Sequence, residues 1–337
     1  MVTMTMVALG SVALFGAGKT AHAGYDFYTA ENLNKSAEEL VRQARERMEH
    51  ENAACQRALE ILGEEKSQVL TGSIAQFLDT FQKLKNVEFL TEASTEDLTA
   101  VNAGELKPAE LHSLMEVAGS LVAGTAAGAA GGALAAFGSY GAAQIFACAS
   151  TGTAISSLSG AAATNATLAY FGGGSLAAGG AGMAGGALVL GGIVAAPALL
   201  AMGFIAGSKA SQNLEKAKIR KAEALEIDQE SLTYAAACHG IRKRIYEFYN
   251  LLAQLDSRLQ PLVYQMEEIV KKEGVDYALF TPASKKVIAS AASTVSTISM
   301  LLKAPILTEE GTLSDQSETA VEEVSGYLEK NPSLQQS

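Results

Sequence analysis

Gly240–Val270 reads GIRKRIYEFYNLLAQLDSRLQPLVYQMEEIV, and its apolar side chains fall at Ile241, Ile245, Phe248, Leu252, Leu255, Leu259, Leu262, Met266 and Ile269. The steps alternate four and three over four heptads without an error. That is the seam of a coiled coil, so the stretch is expected to be one long helix pressed against another. Pro261 lies inside the repeat and is expected to bend the helix locally.

A partner for that seam lies upstream. From Glu31 to Lys85 the sequence is charged and helix-forming, with apolar positions at Leu33, Ala37, Leu40, Ala44, Cys55, Leu59, Leu62, Leu70, Ile74, Phe77, Phe81 and Leu84. These also step by fours and threes, with breaks near Glu51 and Lys66. Glu31–Lys85 and Lys209–Lys272 are similar in length, each enough for a rod of roughly 80–95 Å at 1.5 Å per residue. Two equal rods and a connecting block suggest a chain that goes out along one and returns along the other.

The block between them is defined by its charges. After Glu116 no Asp, Glu, Lys, Arg or His occurs until Lys209, in a chain that is 18 % charged. A solvated surface of this length would carry charges, so Val117–Ser208 is expected to lie out of water. Its most hydrophobic part is Gly186–Gly207 (GALVLGGIVAAPALLAMGFIAG), about the length that spans a bilayer core. The side chains expected to insert there are Leu188, Val189, Leu190, Ile193, Val194, Leu199, Leu200, Phe204 and Ile205. Val117–Ala147 is long enough as well, but Ala and Gly make its insertion marginal. Ser150–Ser175 is rich in Ser, Thr, Asn and Gly and reads as a turn or weakly polar tip. Glycines recur at spacings of four: Gly124, Gly128 and Gly132, then Gly182 and Gly186, then Gly203 and Gly207. Residues four apart share a helix face, and such stripes let a neighbouring backbone approach closely.

Composition agrees with this layout. Hydrophobic residues make up 48 % but aromatics only 6 %, with 32 Gly, six Pro and no Trp. Ala and Gly bury little surface each, which makes a thin soluble core but a good helix-packing surface. The formal charge of −11 argues against nucleic acid as a partner. Cys55, Cys148 and Cys238 form no CxxC pair and read as buried small hydrophobes rather than a disulfide framework or a zinc site. Residues 86–112 read as an acidic loop leading to Pro108 as the first residue of a helix. Thr281-Pro282 is an N-cap and N1 pair for a helix to about Lys303, with Val287, Ile288, Ala291, Val295, Ile298 and Leu302 on one side. Leu313–Ser337 is acidic, so a helix there is expected to be short and exposed. No alternating run points to a sheet. The expected division is a 1–28 apolar N-terminal segment, a 29–112 first arm with its loop, a 113–208 apolar hairpin, a 209–273 second arm, and 274–337 C-terminal helices with an acidic tail.

Ala13–Thr20 (ALFGAGKT) fits a loosened phosphate-loop pattern, in which backbone N–H groups cradle phosphates, Lys19 reaches them and Thr20 holds magnesium. Met6–Phe15 could be written as the preceding strand, but no further parallel strands follow and no strand ends in the Asp such a site needs. The same residues resemble a secretory signal, with Ala21-His22-Ala23 as the cleavage site, although no Lys or Arg precedes Lys19. An apolar helix packing beside the main block is the third reading and the favoured one. His22, His50, His112 and His239 have no neighbours at ligand or triad spacing. No catalytic residue, metal site or cofactor is expected. Lys216, Lys218, Arg220 and Lys221 follow the apolar block where headgroup-binding charges sit, and equally suit a solvated coiled-coil face.

Ser150–Gly186 (STGTAISSLSGAAATNATLAYFGGGSLAAGGAGMAGG), Gly24–Asn34 (GYDFYTAENLN) and both arms resemble a group of poorly characterised bacterial coiled-coil, glycine-zipper membrane proteins loosely labelled chemotaxis-like. The resemblance covers most of the chain and implies no established activity. The layout, an apolar hairpin on a helical stalk, is also similar to the cytolysin A type of α-helical pore-forming toxins, by arrangement alone. The expectation is therefore an all-α protein, a long antiparallel coiled-coil hairpin with an apolar Gly/Ala-rich helical tip. It would insert into a lipid bilayer and self-associate as a homo-oligomer, with or without a protein partner, as a pore former, scaffold or membrane remodeller. Its place would be the bacterial inner membrane or the cytoplasm, with secretion left open. The alternative is a soluble helical interaction protein with a buried Ala/Gly core.

Overall fold

The computed structural model describes residues 3–87, 107–125, 131–140, 214–308 and 312–331. Among them the chain is all-helical. Helix α1 (Thr3–Val69) passes through one π-helical turn (Leu70–Ile74) into α2 (Ala75–Phe81). Then come α3 (Pro108–Thr125), α4 (Gly131–Tyr140), α5 (Leu214–Glu273), a 3₁₀ turn (Tyr277–Leu279), α6 (Pro282–Lys303) and α7 (Asp315–Lys330). The chain forms two compact units, Met1–Glu51 with Val194–Ala237 and Asn52–Ile193 with Cys238–Ser337.

In the first unit α1 and α5 are paired by Arg220 on Asn34 Oδ1 (3.1 Å), Lys221 on Ser36 Oγ (2.6 Å) and Arg47 on Asp228 (2.9 Å). Partner numbers rise together, with sequence separations of 186, 185 and 181. The helices therefore run parallel. The second unit shows the same sense: Cys55 meets Cys238 and Ser73 meets Asp256, both at a separation of 183. This corrects the antiparallel hairpin, and the reason is that a heptad seam specifies a stripe and carries no direction.

The seam on α5 is longer than the expected repeat. Ala217, Ala224, Ile227, Ser231, Tyr234 and Cys238 are buried and continue the three-four alternation upstream of Ile241. Ile241, Ile245, Phe248, Leu252, Leu255, Leu259, Leu262 and Met266 are all buried, while Ile269 is half-buried. Pro261 sits on the exposed side of a helix that continues unbroken to Glu273. On α1 the buried positions are Ala30, Asn34, Ala37, Val41, Ala44, Met48 and Cys55, whereas Leu33 and Leu40 are half-buried. The stripe thus lies one residue from where the leucines suggest. In the first unit both stripes mix small and large residues, Ala37, Val41, Ala44 and Met48 on α1 and Ala217, Ala224, Ile227 and Ser231 on α5. Helix α1 is continuous through Glu51 and Lys66; its buried stripe skips from Met48 to Cys55 around Glu51, as the stepping suggested, whereas Lys66 is itself buried in the stripe.

Within the second unit, α3 runs antiparallel to α1, with His112 on Gln82 and the Ala118 carbonyl accepting from Ser67 (3.2 Å). Helix α7 runs parallel to α5, since Arg244 donates to the Ser317 carbonyl and Arg258 to that of Asn331. Thr281 caps α6 through Ser284 N, with Pro282 at its first position, as the sequence suggested. Every residue from Ala291 to Ile298 is buried, however, so α6 is enclosed rather than packed on one side. Ser and Thr suit that position because they are small and can satisfy themselves on their own helix, as Thr294 does on Ser290 O and Thr297 on Ser293 O. Helix α7 is capped by Ser314 and buries Ala320, Val324, Tyr327 and Leu328. It is neither short nor exposed, because its acids occupy only the outer face. Gly274, at φ +89°, ends α5 in the left-handed conformation that glycine tolerates best.

The parallel register is open to a direct test in the first unit. Spin labels at exposed Gln43 and Glu226 lie side by side across an interaxial spacing of about 10 Å. Labels at Glu49 and Glu215 are offset by roughly a further 25 Å along the axis. Pulsed dipolar spectroscopy is expected to give a short distance for the first pair and a long one for the second. An antiparallel hairpin would make both long.

Candidate docking site of the uncharged segment

The insertion residues expected from sequence, Leu188, Val189, Leu190, Ile193, Val194, Leu199, Leu200, Phe204 and Ile205, lie outside the described residues, as do Gly128, Gly182, Gly186, Gly203 and Gly207. Gly124 is in α3 and Gly132 in α4, so the first stripe falls on two helices. No helix among the described residues is long and apolar enough to cross a membrane.

What the structure does bring together is the start of the uncharged segment and the middle of α1. Gly63 on α1 faces the backbone of Leu134, and Gly138 on α4 faces that of Leu59. A Cβ at either glycine would fall well inside van der Waals contact of the opposing carbonyl oxygen. The two helices therefore cross antiparallel in direct backbone contact, the arrangement that glycine alone permits. Leu134, Ala135 and Phe137 are buried in this crossing.

Lys66 lies one turn further along α1 and is completely buried. Its ammonium donates to the carbonyls of Gly138 (3.1 Å) and Phe137 (3.4 Å) and stands 6.0 Å from the centre of the Phe248 ring. The last carbonyls of a helix have no partner within it and carry the negative end of its dipole. Lys66 therefore acts as the C-terminal cap of α4, reached from another helix. The Ser139 carbonyl is taken up in turn by the backbone N–H groups of Ile306 (2.6 Å) and Leu307 (3.2 Å). Burial pushes the Lys66 amine down to about 7, because leaving water penalises the charged form.

Beside this crossing α1 widens into the π turn at Leu70–Ile74, against which α3 packs. π turns accommodate one extra residue and are often retained where a neighbour needs room. Glu110 at the start of α3 is paired with Lys303 and Lys107, and these bonds hold its carboxyl below the usual range.

Other candidates are accounted for differently. Lys218 pairs with Glu215, Lys221 with Ser36, and Arg220 with Asn34, so most of that basic cluster is tied within the first unit. Ala13–Thr20 lies inside the continuous helix α1 and has no loop to cradle a phosphate. Among the described residues no group of three His, Cys, Asp or Glu could hold a metal ion. His50, His112 and His239 are exposed. Sequence reasoning missed the crossing, although Gly63, one of two glycines in the helical arm, and Lys66 in phase with the seam were its visible marks. No known protein family, characterised protein or solved structure matches the chain.

Two outcomes are expected at the crossing. Gly63→Ala and Gly138→Ala each force α4 away from α1 and cost about 1–3 kcal/mol in urea unfolding, as overpacking does. Gly72→Ala, with open space around it, gains a few tenths to about 1 kcal/mol. Lys66 adds a pH signature. Its folded value lies below the ordinary one near 10.4, so above pH 7 the folded state binds fewer protons than the unfolded chain and stability rises with pH. Between pH 7 and 8.5 the gain is about 1.5 kcal/mol, and it is expected to vanish in Lys66→Met.

Proposed function

We propose that this is a membrane-inserting helical protein whose uncharged segment is stored against a helical bundle and released to the bilayer, where it self-associates through its glycines. The observation that carries the reading is the absence of charge from Val117 to Ser208. A segment of this length without Asp, Glu, Lys, Arg or His needs an apolar surrounding, and a bilayer is the largest one available. Support comes from how α4 is held. It offers mostly Ala and Gly, which bury little area each, so its attachment depends on close backbone contact and on Lys66 rather than on a deep hydrophobic interface. Such an attachment is reversible. The reading does not depend on a hairpin, since small-residue packing can assemble copies in either helix direction. Pore, scaffold and membrane remodeller are its three forms, and no enzymatic step is part of it.

A second reading is favoured by one observation. Leu134, Ala135 and Phe137 are buried within the bundle, as they would be in a soluble interaction protein whose Ala/Gly helices stay in its core.

Flotation of the purified chain with liposomes, followed by carbonate wash and dye release, separates the two. Wash-resistant flotation is expected, and Gly138→Ala is expected to float and release dye faster than the parent because α4 is no longer held. Protein that remains soluble at the bottom of the gradient in both forms would overturn insertion and leave the soluble bundle.

A further inference from the structure

Cys55 and Cys238 are far apart in sequence but share one layer of the α1–α5 seam. Both are completely buried and both are free thiols. The Cys55 Sγ donates to the Cys238 carbonyl at 3.2 Å, so its side chain already reaches onto the other helix. The Cys238 thiol is within hydrogen-bonding reach as well. That contact and burial push the Cys55 thiol up, while the nearby Arg242 guanidinium opposes them. Asn52, Ala53 and Ala54, just before Cys55 on α1, are only half-buried.

We propose that Cys55 and Cys238 form a modification site, closing to an intramolecular disulfide between α1 and α5 on reaction with a small disulfide oxidant. The seam places the Cys55 sulfur against the Cys238 backbone, and closure requires the two side chains to rotate into a bond of about 2.05 Å. The chemistry is two successive exchanges. The Cys55 thiolate attacks one sulfur of the oxidant R–S–S–R, forming a mixed disulfide and expelling RS⁻. The Cys238 thiolate then attacks the Cys55 sulfur, forming the protein disulfide and expelling the second RS⁻. The two protons lost by the cysteines go to the two departing thiolates, so the protein is oxidised by two electrons and the oxidant is reduced to two thiols. The raised thiol makes the attacking thiolate scarce at neutral pH, so closure is slow and accelerates with pH.

The product would tie α1 to α5 permanently. It would fix the pair while leaving α4, which is held by other residues, free to dock or leave. The inference is independent of the membrane reading and applies equally to a soluble bundle.

The test uses the full chain carrying Cys148→Ser, which leaves two cysteines, treated with glutathione disulfide at pH 8.5 without denaturant. The expected product has no thiol open to alkylation after unfolding, a mass lower by two hydrogens, and one proteolytic fragment joining Cys55 to Cys238. Its melting temperature is raised, and dithiothreitol reverses the shift. Thiols that remain free, or a stable glutathione adduct on either cysteine, would overturn the proposal. If Cys148→Ser does not fold, the parent chain is mapped instead, and a link from Cys148 to either residue overturns it equally.

Discussion

The parallel register of α1 and α5 is the constraint from which the rest of the described structure follows. Cys55 against Cys238, Lys66 beside Phe248 and Ser73 on Asp256 fix it in the second unit, and Asn34, Ser36 and Arg47 fix it in the first. Two antiparallel helices can be joined by a short turn, whereas two parallel ones need a connection that travels back along them. Helices α3 and α4 belong to that connection, and both run antiparallel to α1. The uncharged segment begins inside α3 and includes α4, so its described part lies on helices that run back along α1. That described part lies against α1.

The return path imposes its own chemistry. A helix of Ala and Gly cannot hold itself to a neighbour by side-chain burial alone, since each Ala contributes little area. Closeness compensates: Gly63 and Gly138 remove the side chains that would keep two backbones apart. Closeness also brings the carbonyl end of α4 into the interior, where an uncapped carbonyl is costly. Lys66 and the backbone at Ile306–Leu307 supply the missing donors. The lysine is expensive to bury, and its lowered amine records that expense. One unfavourable desolvation is accepted so that several backbone carbonyls are not left bare.

The sequence made α5 legible because its seam residues are large and its spacing perfect. The stripe on α1 was legible in part: Ala37 and Ala44 lie in the buried stripe as expected, but Asn34 and Val41 take the places that Leu33 and Leu40 seemed to claim. A seam that takes in a polar residue such as Asn34 is hard to place by hydrophobicity alone. Lys66 was taken for a break since a charged side chain in a seam normally is one, and its capping role needs a helix seventy residues away. Helix α7 was obscured by its acids, which mask a buried face at Ala320, Val324 and Tyr327. Helix direction left no trace at all, because heptads read the same both ways.

The two readings of the uncharged segment differ less in energy than in outcome. Lipid chains are about as apolar as a protein core, so moving an Ala/Gly helix from a bundle to a bilayer exchanges one apolar surrounding for another with little net hydrophobic gain. What decides the balance is the specific part of each state. On the bundle side it is the glycine crossing and the cap from Lys66; on the membrane side, in the proposed reading, it would be packing between copies. A segment richer in leucine would insert irreversibly, and one carrying charges would never leave water. Under the proposed reading, alanine and glycine in place of both would keep the two states close, as a segment stored for release requires.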